Sequence, residues 1–303
     1  MQQVILLGAT GLIGAQVKKT LSEKHSVICV GRHKDSDIFA DLTDTESLRK
    51  LNLPDSFSLV HCAGITDELI RRDKTAAFFQ STSGMEYVID AAVRAKVKRF
   101  AYISTSHVYG KQEGSIDEKT EPNPLSDYAI AHYSAEQVLK RNQARFECSL
   151  VLRPNAVFGI PLEFSKFDRW SLIPYAFPLE AVRNREIELR SSGEQKRNFV
   201  GTQDIAECVK QFALSAEFQR FALLNPIGKV TMTVYDFAVL CCSTYESLTG
   251  QTCKVVRPEG SEGSYVEEFI YSTLFERKFS RESLQNSIEK LLSVIIEENP
   301  NGK

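Results

Sequence analysis

Gly8-Ala9-Thr10-Gly11-Leu12-Ile13-Gly14 is the stretch of this sequence best suited to binding chemistry. It follows the apolar run Val4-Ile5-Leu6-Leu7, sized for a buried strand, and leads into an apolar pattern at helical spacing. Strand, glycine turn and helix in that order aim backbone N–H groups at the turn, where they can hold a pyrophosphate. Gly8 and Gly11 permit the tight turn and close phosphate approach, and Gly14 lets the helix lie against the strand. The spacing is G-x-x-G-x-x-G rather than G-x-G-x-x-G, and a purely structural glycine turn is the alternative. Tyr128 and His132 are four residues apart, so a helix presents both on one face. The Arg32 guanidinium in Gly31-Arg32-His33-Lys34, at the end of a second strand, suits a 2′-phosphate; a solvated basic turn is the alternative. Arg197 could clamp a diphosphate with paired hydrogen bonds, or form a surface ion pair with Glu194 or Asp204. Lys166, Asp168 and Arg169 lie nearby, but spacing gives them no role.

Composition excludes several classes. With 303 residues, 43% hydrophobic and 25% charged, the chain suits a globular protein of one large domain or two unequal ones. A net charge of −2 gives no reason to expect nucleic acid or an anionic membrane as partner. No apolar run reaches the length of a membrane span, and the first strand begins almost at Met1, which leaves no room for a signal peptide. The seven cysteines are odd in number, lack a C-x-x-C pair and sit mostly in apolar runs. Reduced, buried thiols in a cytoplasmic protein are expected, and no metal site, because the five histidines do not cluster with them.

These residues need a scaffold that brings strand ends together. Helix over about 12–24, strand 26–30, short helix 45–51, strand 58–62, long helix 75–95, strand 99–103, helix 128–145 and strand 149–152 alternate regularly. That rhythm predicts an α/β fold with a doubly wound parallel sheet covered on both faces and ligands beyond its C-terminal strand ends. A proline-bearing loop is expected over 110–127. After Arg153 the rhythm breaks, with prolines at 154, 161, 174 and 178. A strand over 186–189, a helix over 202–214 and a strand over 220–224 follow. Thr233 is placed to cap a helix that stops at Gly250, and Ser280 to cap the last. The expected division is a dinucleotide-binding domain over 1–153 with about 199–225, and a smaller mixed α/β C-terminal lobe over about 154–198 and 226–303.

The ordered motifs resemble the extended short-chain dehydrogenase/reductases, the family of nucleotide-sugar epimerases, dehydratases and ketoreductases. Residues 8–14 match the cofactor turn, Asp41-Leu42 the acidic residue near the adenine, and His61-Cys62-Ala63-Gly64 the motif after the fourth strand. Ser104-Thr105-Ser106-His107-Val108-Tyr109-Gly110 resembles the catalytic serine/threonine motif, and Tyr128 falls where the catalytic tyrosine is expected. Leu152 to Gly159, and Arg197 through Asp204, resemble the substrate-lobe signatures. The resemblance implies a Rossmann-type fold. It also implies that Gly8, Thr10, Gly11, Leu12, Ile13, Gly14, Arg32, Asp41, Leu42, Cys62, Ala63, Gly64, Ser81, Tyr128, His132 and Pro154 surround the cofactor. Thr105, His107, Asn155 and Arg197 would face a nucleotide-sugar substrate.

Within the resemblance, Thr105 steadies the reacting oxygen and Tyr128 moves its proton. Two positions depart from the family pattern. His132 stands where the family has a lysine; at about pH 7 it is mostly neutral, so it should activate Tyr128 less, while still reaching the ribose. Ser81 stands where many members carry asparagine. His107 replaces the dehydratases' glutamate and Ser106 their aspartate, which argues against 4,6-dehydration. His107 is then either a second acid/base or a pocket-lining histidine. The expected activity is NADP-linked reduction, or epimerisation with NAD as the alternative, at a sugar carbon of a nucleotide-activated sugar. The rival is a non-catalytic cofactor-binding sensor or scaffold. A homodimer is expected, through apolar surface on the helices carrying Phe78, Phe79, Met85, Val88 and Ile89 and Tyr128.

Overall fold

The computed structural model describes residues 2–214, 219–260, 268–275 and 282–298. The first half runs β1 (Gln3–Leu7), α1 (Leu12–Ser22), β2 (Ser26–Gly31), β3 (Ile38–Phe39), α2 (Thr45–Arg49), β4 (Ser58–His61), α3 (Asp67–Arg72), α4 (Lys74–Phe79), α5 (Met85–Arg94), β5 (Arg99–Ile103), β6 (Gly114–Ile116), α6 (Asp127–Arg141) and β7 (Cys148–Leu152). The second runs β8 (Ala156–Phe158), α7 (Ile173–Asn184), β9 (Glu186–Glu188), β10 (Lys196–Gly201), α8 (Thr202–Leu214), β11 (Phe221–Leu224), β12 (Val230–Thr233), α9 (Val234–Thr249), β13 (Lys254–Val256), β14 (Phe269–Tyr271) and α10 (Leu284–Glu298).

Seven strands form one parallel sheet in the order β11-β7-β5-β4-β1-β2-β3. The chain winds outward from β1 to β3, then crosses to β4 on the other side of β1, so the order reverses between β1 and β4. That reversal opens a crevice beyond the strand ends. Alternation within β1 explains the two-sided core: Ile5 and Leu7 join the layer of α5 and α6, while Val4 and Leu6 join that of α1 and α8. Each such fully buried aliphatic side chain contributes about 2 kcal/mol.

The remaining strands form small sheets: β12-β10-β8, β13-β9, and the parallel pair β14-β6. A separate core of α7, α9 and α10 surrounds Phe237, whose ring stacks on Phe199 at 4.6 Å. Thr233 caps α9 by accepting from the Asp236 N–H, and Gly250 ends it in the left-handed conformation. Ser280 lies outside the described residues.

Four elements differ from the sequence expectation. The helix expected over 75–95 is α4 and α5 joined by a π turn over Gln80–Gly84, where the Ser81 and Thr82 hydroxyls both bond the Phe78 carbonyl. A short helix, α3, precedes them, capped by Thr66. The loop over 110–127 contains β6, whose partner β14 lies far along the chain. The irregular region after Arg153 contains α7, which tolerates Pro174 in its first turn and Pro178 inside. Of the apolar residues on these helices, Met85, Val88 and Ile89 are buried in the chain's own core, while Phe78 and Phe79 are partly exposed. No helix among the described residues is long and apolar enough to cross a membrane.

The turn after β1 is tightly constrained. A Cβ on Gly14 would lie 2.0 Å from the Gly8 carbonyl oxygen. Gly14→Ala should therefore lower stability by about 3 kcal/mol, measured by urea unfolding; an unchanged midpoint would mean that α1 can move away freely.

Candidate functional site

A cavity of about 990 Å³ lies across the strand ends at the reversal. One wall is the glycine turn. Gly8 sits at φ +79°, and a Cβ there would meet the Ala63 nitrogen at 2.6 Å, so the turn and the end of β4 touch backbone to backbone. Gly11 is the N-cap of α1 and supplies no side-chain bond, leaving the first N–H groups of the helix without a side-chain cap. Thr10, Gly11, Leu12 and Ile13 line the cavity at that point. An uncapped helix N-terminus facing a cavity fits a pyrophosphate. Gly14 does not line the cavity; it makes the packing contact just described.

Further along this wall are Arg32, Asp41 and Leu42. The Asp41 carboxylate accepts from the Thr43 N–H at 2.9 Å and hydroxyl at 2.7 Å. Arg32 approaches it at 3.9 Å, with 62% of its side chain exposed. The guanidinium is thus free to meet another anion. Cys62, Ala63, Gly64 and Pro154 also line the cavity. Burial pushes the Cys62 thiol up to about 12, which keeps it protonated and unreactive. Ser81 is fully buried, bonded to the Phe78 carbonyl, and does not line the cavity. Its neighbour Gln80 does, and donates to the Ala63 carbonyl at 2.9 Å.

Thr105, His107, Tyr128 and His132 line the same cavity. Thr105 caps the turn over Ser106–Tyr109. Ser126 caps α6, whose first turns carry Tyr128 and His132. Their rings meet edge to face at 4.7 Å, and the His107 ring approaches Tyr128 at 5.9 Å. His107 opens to the cavity space, yet the surrounding walls and Arg197 lower its pKa. Burial raises the Tyr128 phenol, opposed by Arg169 and by a hydrogen bond with Thr105.

His132 is fully committed to the protein. Its Nε2 lies 3.2 Å from the Ile65 carbonyl oxygen, which can only accept, so the proton sits on Nε2. Its Nδ1 therefore accepts from the Tyr102 hydroxyl at 2.8 Å. Burial holds the imidazole at about 4, well below its ordinary value. The ring is neutral, and both nitrogens are taken up by partners within the protein. An ordinary histidine ionisation is therefore not expected from this residue.

On the opposite wall Arg197 donates to the Lys196 carbonyl, a neutral partner, at 2.8 Å. Glu194 pairs instead with Arg257 at 2.9 Å, and Asp204 is buried in α8. The Asn155 amide donates to the Ser106 hydroxyl and to the Gln112 side-chain carbonyl, at 2.9 and 2.7 Å. Helix α3, absent from the sequence expectation, brings Asp67, Glu68 and Arg72 to the cavity, and Arg169 also lines it. The signal for α3 was Thr66 followed by two acidic residues, a short helix start. Asp168 lines the cavity; the Lys166 side chain lies outside the described residues. No group of three or more metal-ligating side chains occurs among the described residues, and all seven cysteines are free.

The profile of the "NAD dependent epimerase/dehydratase family" matches residues 4–220, and the chain belongs to that family. It is 30% identical over 126 residues to mouse (Mus musculus) dTDP-D-glucose 4,6-dehydratase, covering 41% of this chain and 34% of that protein. It is 27% identical over 195 residues to Vibrio cholerae UDP-glucose 4-epimerase, covering 59% of this chain and 58% of that one. The chain thus spans from about a third to just over half the length of the curated relatives it matches. Among solved structures, RMD from Pseudomonas aeruginosa complexed with NADPH superposes with a TM-score of 0.78 at 18% identity, covering 98% of this chain and 100% of that one.

His61 shares the condition of His132: it is buried, held at about 4, with its edge against Tyr102. Both rings stay neutral when folded and take up protons when unfolded. Their contribution is therefore full above about pH 6.5 and lost as pH falls toward 4. The loss should reach roughly 3 kcal/mol per histidine by about pH 4. Urea midpoints across that range should fall, less steeply in His132→Gln; parallel curves for the two proteins would refute the assignment.

Proposed function

We propose that this chain binds a nicotinamide dinucleotide across the strand ends and carries out reduction, or epimerisation, at a sugar carbon of a nucleotide-activated sugar. The observation carrying this reading is that Tyr128 and Thr105 face the same cavity as the uncapped N-terminus of α1. The cradle of Gly8, Gly11 and Ala63 fits the dinucleotide's pyrophosphate. When bound, the nicotinamide supplies or takes up the hydride. Tyr128 moves the proton at the sugar oxygen, and the Thr105 hydroxyl steadies that oxygen. Arg197, with its charge met by a backbone carbonyl rather than a carboxylate, receives the substrate's diphosphate. His132 orients the ring of Tyr128 by edge contact and holds α6 against Ile65 and Tyr102.

The neutral, locked His132 favours a second reading, a cofactor-binding protein without turnover. The two separate cleanly. Tyr128→Phe removes one hydroxyl and should cut turnover of a nucleotide 4-keto-sugar panel at least about a hundredfold, with cofactor affinity intact. Full activity in that variant would refute the role of Tyr128. Absence of turnover by the parent across the whole panel would put the second reading ahead.

For the cofactor, the exposed guanidinium of Arg32 supports NADPH over NADH, with NAD as the alternative. Arg32→Ala should weaken NADPH binding about tenfold, roughly 1.4 kcal/mol, and leave NADH nearly unchanged. Isothermal titration checks this; equal affinities in the parent would refute it.

A further inference from the structure

The turn after β5 carries two of the residues assigned to chemistry, and its shape is set from outside. Thr105 opens it by accepting from the His107 N–H at 3.2 Å, and the His107 ring meets that of Tyr128. Gln112, just past the turn, reaches back to it. Its side-chain nitrogen donates to the Ser106 carbonyl and to the Gly110 carbonyl, both at 3.2 Å. Ser106 begins the turn and Gly110 closes it, so one amide spans both ends.

The carbonyl oxygen of the Gln112 side chain accepts from the Asn155 amide at 2.7 Å. The second hydrogen of that amide goes to the Ser106 hydroxyl at 2.9 Å. Asn155 Oδ1 accepts from the backbone N–H of Asn198 at 3.3 Å, on β10 and next to Arg197. Asn198 is itself fixed. It is buried, donates to the Gly228 carbonyl and the Thr231 hydroxyl, and accepts from the Gly228 N–H. A line of hydrogen bonds therefore runs from the turn with Thr105 and His107, through Gln112 and Asn155, to the strand with Arg197. Thr105, His107, Asn155 and Arg197 line the cavity, and Gln112 does not. Every N–H of the Gln112 and Asn155 side chains is used within the protein, so neither is left to donate to a ligand. A side-chain amide offers two donors and an acceptor in one plane, so it transmits orientation as well as distance.

We propose that Gln112 is a positioning residue, which through Asn155 holds the turn bearing Thr105 and His107 in register with Arg197. The proposal deepens the functional reading and rests on it: Thr105 meets the sugar oxygen while Arg197 holds the diphosphate of the same molecule, so the gap between them must be fixed. A shift of about 1 Å between such groups costs a rate up to about a hundredfold. Gln112 touches neither substrate nor cofactor and acts from outside the cavity lining.

The test is amide hydrogen exchange, followed by NMR on the full chain without ligand. Gln112→Ala should speed exchange at Ser106 and Gly110 by about fivefold, the effect of one hydrogen bond. It should speed exchange at Asn198 by a similar factor, although the link to β10 runs through Asn155. Asn155→Asp sets an acceptor against Gln112 Oε1 and should speed the same amides. Gln112→Lys alone turns a cation toward the Asn155 amide and should do likewise. In the double variant the lysine donates to the aspartate and to the two turn carbonyls, and exchange should return to within about twofold of the parent. Parent-like exchange at Asn198 in Gln112→Ala overturns the proposal. So does a double variant no better protected than the single ones. On a nucleotide 4-keto-sugar, Gln112→Ala should lower kcat about tenfold with cofactor affinity unchanged; an unchanged kcat beside faster exchange also overturns the positioning role. A parent without turnover sinks the functional reading, while exchange still decides whether the link exists, so the two failures are distinguishable.

Discussion

The buried ion pair of Glu136 and Arg153 is the constraint on which the site depends. Arg153 donates from Nε to Glu136 Oε1 at 3.0 Å and from Nη2 to Oε2 at 2.6 Å. Both side chains are almost wholly buried. The Ser104 hydroxyl adds a third bond to Oε1 at 2.5 Å, and the guanidinium lies over the Tyr109 ring at 4.7 Å. The Arg153 carbonyl accepts from the Tyr271 hydroxyl. These contacts join α6, the ends of β5 and β7, and β14. Such a pair gains little net stability over an apolar substitute, because desolvation cancels most of the attraction, but losing one partner costs about 3–5 kcal/mol. Its consequence is placement: Tyr128 and His132 on α6 are fixed against Thr105, which follows Ser104 directly.

The same logic accounts for what could be read from the chain alone. The large sheet was legible because its strands are short continuous apolar runs and its first turn is marked by glycines with local reasons to be there. Helices α8 and α9 were legible for the same local reason, the latter through Thr233 and Gly250. The π turn was not legible: it lies where Gly84 packs against the Leu42 carbonyl, 3.0 Å from a Cβ placed there, a contact between segments some forty residues apart. Neither was the pairing of β6 with β14, which joins segments more than a hundred residues apart. Helix α7 was hidden by prolines that break helices elsewhere, but its first is tolerated in the opening turn and its second is buried within the helix.

Among the site residues, sequence could identify types and not commitments. The Tyr128–His132 spacing correctly put both rings together. It could not show that the imidazole is spent on Tyr102 and Ile65, 30 and 67 residues away. Ser81 shows the same limit: its position matched a family site, while its hydroxyl closes a local turn. Arg32 and Asp41, by contrast, do meet at the cavity wall beyond β2 and β3, because strand ends fix them whatever their side chains do.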